Sequence, residues 1–185
     1  MFDQQGNRKY LNGAERRLFS RAAKKEPDAL RRAFALTLFH TGCRISEALN
    51  VTAERVDLAN RAIVFETLKQ RKNGHFRAVP IPDALVDLLR RVLPQAAPAE
   101  RVWPFSRPTA YRLVKDCMAR AEIMGGMASP KGLRHGFAVA CLAQKIPLPA
   151  VQKWLGHARM ETTAIYLEVS GDEERELAKR LWKAG

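Results

Sequence analysis

The sequence predicts an α+β fold that is mostly helical, with a small three-stranded antiparallel sheet on a helical core. Two observations lead to this prediction. Apolar residues recur at helical spacing over most of the chain, and one central stretch changes to short β-rich runs. The 185 residues are 46% hydrophobic and 28% charged, which is typical of a chain that buries a core. This length favours one compact domain.

The first part of the chain is predicted to be helical. Residues 1–10 are polar, and we expect a flexible N-terminal segment there. Residues 11–25 and 27–41 each carry apolar side chains at helical spacing, and Gly42 ends the second of these helices. Residues 44–51 then predict a short third helix.

The central stretch has the composition of strands. Turn sequences at residues 60–61 and 72–74 divide it, so we predict an antiparallel meander. Pro80 cannot donate a hydrogen bond within a sheet, so it indicates a strand end or an edge strand. The three β-rich runs span residues 56–58, 62–65 and 78–81.

Helices resume beyond the sheet and continue towards the carboxyl end. Ser129 and Pro130 form an N-cap followed by proline at the first helical position. In residues 171–185 the acidic side chains precede most of the basic ones, which suits the helix dipole, so we predict a C-terminal tail helix. The other helices are expected at residues 82–92, 109–122, 130–145, 149–155 and 160–168.

The charge of the chain favours a particular class of partner. There are 32 Lys and Arg residues against 19 Asp and Glu, a formal net charge of +13 at pH 7. Nucleic acid is the commonest polyanion in a cytosol, and the release of its counterions lets a basic surface bind it. The charge therefore favours a nucleic-acid partner but says nothing about chemistry.

Several classes of protein are disfavoured by the composition. Cys43, Cys117 and Cys141 are odd in number and lie in apolar helical contexts. They indicate core residues in a reducing cytosol, not a disulfide framework or a metal site. No apolar stretch reaches the length of a bilayer, and the opening residues lack the apolar core of a secretory signal. We therefore expect a cytoplasmic protein with no membrane partner.

Several short motifs follow one another in a fixed order. Arg134 precedes His157 by 23 residues, and His157 precedes Tyr166 by 9. The motifs are TGCRISEAL at 41–49, KNGHFRAVP at 72–80, LRHGFA at 133–138, LGH at 155–157 and TAIY at 163–166. Over residues 11–169 they resemble parts of the tyrosine recombinases, or phage integrase family. The motif at 41–49 resembles the first conserved box, the motif at 72–80 resembles the lysine hairpin, and the last three motifs together resemble the second box. The resemblance implies the tyrosine-recombinase catalytic fold for residues 11–170.

The resemblance also implies a chemical role for five residues. Tyr166 would be the nucleophile that forms a 3′-phosphotyrosyl link to DNA, with no metal or cofactor required. Arg44 and Arg134 would stabilise the negative charge of the phosphorane, because a guanidinium can donate two hydrogen bonds to phosphate oxygens at once and stays charged. Lys72 would be the general acid for the leaving 5′-oxygen, and His157 a hydrogen-bond donor to the phosphate.

Three further residues belong to the predicted site. Lys131 stands where the family most often has histidine, one helical turn before Arg134, and we expect an electrostatic clamp there, with a role as base left open. Glu47 is interpreted as an orienter of Arg44, with an ordinary surface ion pair as the alternative. His135 is expected to point elsewhere on its helix and to be structural or supporting.

These residues predict a site-specific recombinase acting on double-stranded DNA, in the bacterial cytosol or nucleoid. The alternatives are a catalytically inactive DNA-binding regulator of the same fold and a nicking-closing enzyme of the type IB topoisomerase class. Integration, excision and inversion stay open, as do an excised and a naturally short catalytic domain. We expect a tetramer on DNA, with a monomer as the state when free. Residues 171–185 would dock in cis or on a neighbouring protomer.

Overall fold

The computed structural model describes residues 1–67, 74–93 and 97–167, together with Lys179 and Trp182. The helices are α1 Gly13–Lys24, α2 Ala29–Thr41, α3 Ile45–Leu49, α4 Asp83–Val92, α5 Arg107–Arg120, α6 Pro130–Ala143, α7 Leu148–Leu155 and α8 Glu161–Ala164. The strands are β1 Val56–Asp57, β2 Ala62–Glu66 and β3 Phe76–Pro80, and a 3₁₀ turn at Ala53–Arg55 precedes them. The predicted α+β class, helical with one small sheet, is confirmed.

Local side-chain chemistry determines where the helices begin. The Asn12 side chain accepts a hydrogen bond from the Glu15 amide, and the Glu15 carboxylate accepts one from the Asn12 amide, so α1 starts with a capping box. The Ser129 hydroxyl accepts a hydrogen bond from the Gly132 amide at 3.2 Å, and Pro130 opens α6. The N-cap predicted at Ser129 is therefore confirmed.

The three strands form an antiparallel meander in the order β1-β2-β3. Ile63 pairs with Val79, and Phe65 pairs with Arg77, so these four side chains share the buried face of the sheet. Pro80 ends β3, which is an edge strand, as predicted. The sheet thus carries one charged side chain, Arg77, towards the interior.

The buried apolar residues form two clusters. The larger one surrounds α2 and includes Phe34, whose ring meets the ring of Trp103 edge to face at a centroid distance of 5.4 Å. The smaller one lies between α6, α7 and the segment after α8. Its members are Phe137, Ala138, Cys141, Val151, Leu155 and Tyr166. The three cysteines are buried and unpaired, as the sequence predicts.

Some elements differ from the prediction or lie outside the description. The helix expected at residues 160–168 shortens to Glu161–Ala164 and ends in a turn. In residues 1–10 the chain folds back, with Phe2 bridged to Arg8, while the expected flexibility of this segment stays a prediction. Lys72 and nearly all of residues 171–185 lie outside the described residues. Within the described ranges, no helix has the length and apolarity needed to cross a membrane.

Candidate active site

The fold brings four of the predicted site residues to one place. The Arg134 Nη2 atom lies 2.9 Å from Nε2 of His157, although 23 residues separate them in sequence. The His157 ring stacks on the ring of Tyr166, with centroids 6.3 Å apart and an interplanar angle of 11°. The Arg44 charge acts on both Arg134 and Tyr166: it adds to the effect of burial in lowering the pKa of Arg134, and it partly offsets the effect of burial in raising the pKa of Tyr166. Residues that belong to separate motifs of the sequence are thus neighbours in the fold.

Arg44 is held at the start of α3 by a buried carboxylate. One oxygen of Glu47 lies 2.6 Å from the Arg44 guanidinium, and the other accepts a hydrogen bond from the Arg44 amide at 2.9 Å. The Glu47 side chain is fully buried. Burial raises the pKa of this carboxyl, but the charges of Arg77 and Arg44 outweigh it and hold the pKa below its usual value. The alternative of an ordinary surface ion pair is therefore wrong, because Glu47 is buried, and its role as an orienter of Arg44 stays a prediction.

The structure adds Arg77, which sequence reasoning missed. Its guanidinium lies 2.6 Å from Glu47 and donates to the Trp154 carbonyl oxygen at 2.8 Å and to the Thr67 hydroxyl at 3.0 Å. The signal was present in the alternation of β3, which places Arg77 on the same face as buried Val79. The contacts of Arg77 therefore connect β3 of the lysine hairpin with Glu47 of the first box and with the end of α7.

Arg134 is buried and has no counterion among the described residues. Its guanidinium donates to the carbonyl oxygens of Gly42 and Leu155, each at 2.8 Å, besides its contact with His157. Burial and, to a smaller extent, the nearby Arg44 charge together lower the pKa of Arg134 to about 10. The guanidinium still carries its charge at neutral pH. Its hydrogen-bond partners among the described residues are all uncharged, while the more distant charge of Glu47 offsets part of the lowering.

Carbonyl groups at the carboxyl end of α7 help to offset the charge of the buried guanidiniums. Two consecutive carbonyl groups there accept hydrogen bonds from guanidiniums, that of Trp154 from Arg77 and that of Leu155 from Arg134. These carbonyls lie at the negative end of the helix dipole, which favours cations. Gly156 ends the helix with φ +66°, and a Cβ there would meet the Arg77 Cζ at 2.8 Å. Glycine is therefore required between α7 and His157.

His157 supports Arg134 in this structure. A guanidinium can only donate, so Nε2 of His157 accepts, and Nδ1 carries the proton and donates to the Thr163 hydroxyl at 2.9 Å. Burial, followed by the charges of Arg134 and Arg44, lowers the pKa of His157 to about 3. The ring is neutral, and its donation to a phosphate stays a prediction.

Tyr166 lies in the smaller apolar cluster and is only 3% exposed. Its hydroxyl lies 2.8 Å from Nδ1 of His135. Burial raises the pKa of Tyr166, and the charges of Arg134 and Arg44 partly offset this. His135 was expected to point elsewhere on α6. It points to the predicted nucleophile instead, because α8 and the following turn bring Tyr166 back over that helix.

The other predicted residues are less closely placed. Lys131 is exposed on the first turn of α6, and its charge lowers the pKa of His135. Lys72 lies in the part of the hairpin that the structure does not describe, so its role stays a prediction. Within the described ranges, no group of three or more His, Cys, Asp or Glu side chains is arranged to hold a metal ion.

Comparison with known proteins identifies the family. The profile of the phage integrase family matches residues 9–173. The chain belongs to the phage integrase family. Over 165 residues it is 30% identical to a tyrosine recombinase from Thermosipho africanus, a match that covers 86% of this chain and 57% of that protein. The chain thus spans little more than half the length of this curated relative.

Solved structures agree with this family. The crystal structure of XerA recombinase superposes with a TM-score of 0.77 at 26% identity, over 92% of this chain and 64% of that one. The catalytic domain of bacteriophage HP1 integrase superposes with a TM-score of 0.67 at 22% identity, over 92% of this chain and 93% of that one. The predicted tyrosine-recombinase catalytic fold is therefore confirmed for this integrase-family chain.

Proposed function

We propose that this chain is a site-specific DNA recombinase that cuts and rejoins duplex DNA through a covalent 3′-phosphotyrosyl intermediate. One observation carries the proposal. The Tyr166 ring lies on the ring of His157, which contacts Arg134, and the charges of Arg134 and Arg44 reach Tyr166. A phenol beside two guanidiniums is the combination that a transesterification of phosphate needs.

In the proposed reaction the Tyr166 hydroxyl oxygen attacks the phosphorus of a phosphodiester. A bond forms between that oxygen and phosphorus, and the bond from phosphorus to the 5′-oxygen breaks. Lys72 gives a proton to the departing 5′-oxygen. Rejoining is the reverse, in which a 5′-hydroxyl attacks the phosphotyrosine and Tyr166 leaves. The link conserves the energy of the phosphodiester, so no nucleotide is consumed.

The charge of the site suits this reaction. Three arginines and one glutamate, 3 − 1, give a net charge of +2 for the group Arg44, Glu47, Arg77 and Arg134. A phosphodiester carries one negative charge, and the phosphorane formed by attack of a phenolate carries two. The attraction between the cluster and the substrate therefore increases as the phosphorane forms, which is the condition for catalysis. In this proposal exposed Lys131 adds a further cation to the clamp.

The partner in this proposal is double-stranded DNA, bound by a tetramer in the bacterial cytosol. The net charge of +13 supports an affinity dominated by phosphate contacts. We expect the logarithm of the affinity to fall linearly and steeply with the logarithm of the salt concentration. Titration of labelled duplex over a range of salt measures the slope, and a flat dependence would contradict the electrostatic interpretation.

The decisive experiment traps the covalent intermediate. The chain is incubated with nicked suicide duplexes of randomised sequence, and covalent adducts are isolated on a denaturing gel and sequenced. We expect adducts with the native chain and with Tyr111→Phe, which alters an exposed tyrosine outside the site, and none with Tyr166→Phe.

Other outcomes would favour the alternatives. Duplex binding without any adduct would indicate a DNA-binding regulator. Adducts with Tyr166→Phe would remove the nucleophile assignment. Relaxation of supercoiled DNA carrying the selected sequence, with no exchange between two such sites, would indicate a nicking-closing enzyme.

A further inference from the structure

The Tyr166 hydroxyl must lose a proton during the proposed attack, and the structure indicates where that proton goes. We propose that His135 accepts it through Nδ1, so that His135 is the general base for the nucleophile. This inference rests on the recombinase function proposed above and deepens it, because that function leaves the base unassigned.

The hydrogen bond between the two residues has a definite direction. His135 Nδ1 lies 2.8 Å from the hydroxyl oxygen, and it is the one hydrogen-bond partner of that hydroxyl within the described ranges. The Tyr166 side chain is only 3% exposed, so a phenolic proton without an acceptor would be buried and unpaired. The hydroxyl therefore donates, and Nδ1 presents its lone pair to the proton that must leave.

The protonation state of His135 suits an acceptor. Burial lowers the pKa of this half-buried ring to about 4. The positive charges that face the ring contribute to this lowering. They are Lys131 and Arg134 on its own helix, and Lys9 and the terminal amine of Met1 from the first residues. The imidazole is thus neutral at physiological pH, and the negative charge of the phosphorane would stabilise the imidazolium as it forms.

The neighbouring groups are less suited to this role. Nε2 of His157 accepts from Arg134, and Nδ1 of the same ring carries a proton donated to Thr163, so His157 has no lone pair available. Lys131 is exposed, and within the described ranges it forms no hydrogen bond with the Tyr166 hydroxyl. The His135 ring, by contrast, already touches the reacting oxygen.

The proton moves in both directions of the proposed reaction. As the bond between the Tyr166 oxygen and phosphorus forms, the phenolic proton passes to Nδ1 of His135, while the general acid protonates the 5′-oxygen. During rejoining Nδ1 returns its proton to the tyrosine oxygen as that oxygen leaves phosphorus. Protons and electrons balance over the cycle without a further reactant.

The test compares His135→Asn with the native chain on the duplex selected above. An asparagine Oδ1 can lie near the position of Nδ1 and accept a hydrogen bond, but it is not basic. The duplex carries sulfur in place of the 5′-bridging oxygen, because a thiolate leaves without a proton and defects in the general acid are then hidden. The measurement is the single-turnover rate of adduct formation between pH 6 and pH 10.

We expect His135→Asn to slow adduct formation about 100-fold or more at pH 7, the usual contribution of a general base. Without a base, reaction depends on phenol that is already ionised. The rate of the variant should therefore rise about tenfold per pH unit up to the raised pKa of Tyr166, while the native rate changes little. A merely structural role would lower the rate without this change in slope.

Controls separate the possible failures. His40→Asn replaces another partly buried histidine whose pKa burial also lowers to about 4, and it should leave the native profile unchanged. The inference is overturned if His135→Asn keeps the native rate, or if its rate is lower but depends on pH in the same way as the native rate. It is also overturned if Lys131→Ala, and not His135→Asn, gives the steep dependence on pH. Absence of adducts with the native chain would overturn the recombinase function and this inference together.

Discussion

The two arginines predicted to clamp phosphate are held in different ways. Arg44 is partly exposed and paired with the buried carboxylate of Glu47, which Arg77 shares. Arg134 is buried against the carbonyl groups of Gly42 and Leu155 and against a neutral histidine. The first box therefore neutralises much of its own charge, while the direct partners of Arg134 in the second box are, among the described residues, all uncharged.

This difference indicates separate tasks for the two boxes. A guanidinium already paired with a carboxylate gains less from an incoming phosphate than one surrounded by dipoles. In the recombinase proposed above, Arg134 would therefore supply most of the stabilisation of the phosphorane. Arg44, which one ion pair orients, would help to position the substrate. The predictions that follow test this division.

The largest effect is expected from replacing each arginine by lysine. A lysine at 134 cannot reach both carbonyl groups and His157 together, so we expect about a 10³-fold loss in the rate of adduct formation. A lysine at 44 can still pair with Glu47, and we expect a loss of roughly 10- to 100-fold. Single-turnover rates on the selected duplex, with thermal unfolding as a check on folding, measure both. Equal losses would contradict the division.

The second effect concerns the buried carboxylate. Glu47→Gln leaves Arg77 buried without its anionic partner, so we expect a loss of about 3–5 kcal/mol in the free energy of unfolding. Adding Arg77→Met should lose much less than the sum of the single changes, with a coupling energy of about 2–3 kcal/mol. Urea denaturation of the four proteins gives this cycle.

The chain offers a matched pair as control for this cycle. Asp87 and Arg90 form an ion pair at 2.9 Å, a distance similar to the 2.6 Å between Arg77 and Glu47, but both side chains are exposed. Changing either one should alter the free energy of unfolding by about 0.5 kcal/mol or less. A comparable loss at this exposed pair would show that burial is not what makes the Glu47 pair important.

The smallest effect is a dependence of stability on pH that comes mainly from the second box. The pKa values of His135 and His157 are lowered to about 4 and about 3, and that of His40 outside the site to about 4. Between pH 6.5 and pH 4 the unfolded chain binds protons that the folded chain refuses, so stability falls as pH falls. We expect a loss on the order of 1–2 kcal/mol from pH 7 to pH 5.

Urea denaturation at the two pH values measures this dependence. The pKa of Glu47 is lowered too, and its contribution is lost only at more acidic pH, as the carboxyl becomes protonated in the folded state. His40→Asn should make the dependence between pH 7 and pH 5 shallower. A stability that does not change over this interval would mean that the folded histidines accept protons as readily as the unfolded ones.

Much of this site could be predicted because its signals are local. The capped start of α6 at Ser129, the turn of helix joining Arg44 to Glu47, and the spacing from Arg134 to His157 are all visible in the sequence. The first two depend on residues within or next to one helix, whereas the third was recognised through the spacing of the motifs that resemble the family. The fold class followed for the same reason, since hydrophobic periodicity reports which face of an element is buried.

The parts of the site that could not be predicted depend on tertiary contacts between elements that are distant in sequence. Arg77 is charged and lies near the turn of a hairpin, so it resembles an exposed cation until Glu47, 30 residues earlier, is known to lie opposite. His135 contacts Tyr166 because the chain beyond α7 returns to α6, and no periodicity shows that return. The identity of a buried polar partner is a property of the packed structure.

The shared carboxylate of Glu47 has a consequence for protein engineering. It binds one guanidinium from its own helix turn and another from a strand 30 residues further along. The first box therefore cannot be transplanted into a new scaffold as a nine-residue peptide. A functional graft would have to include β3, with β2 as its pairing template, so that both arginines arrive with their common acid.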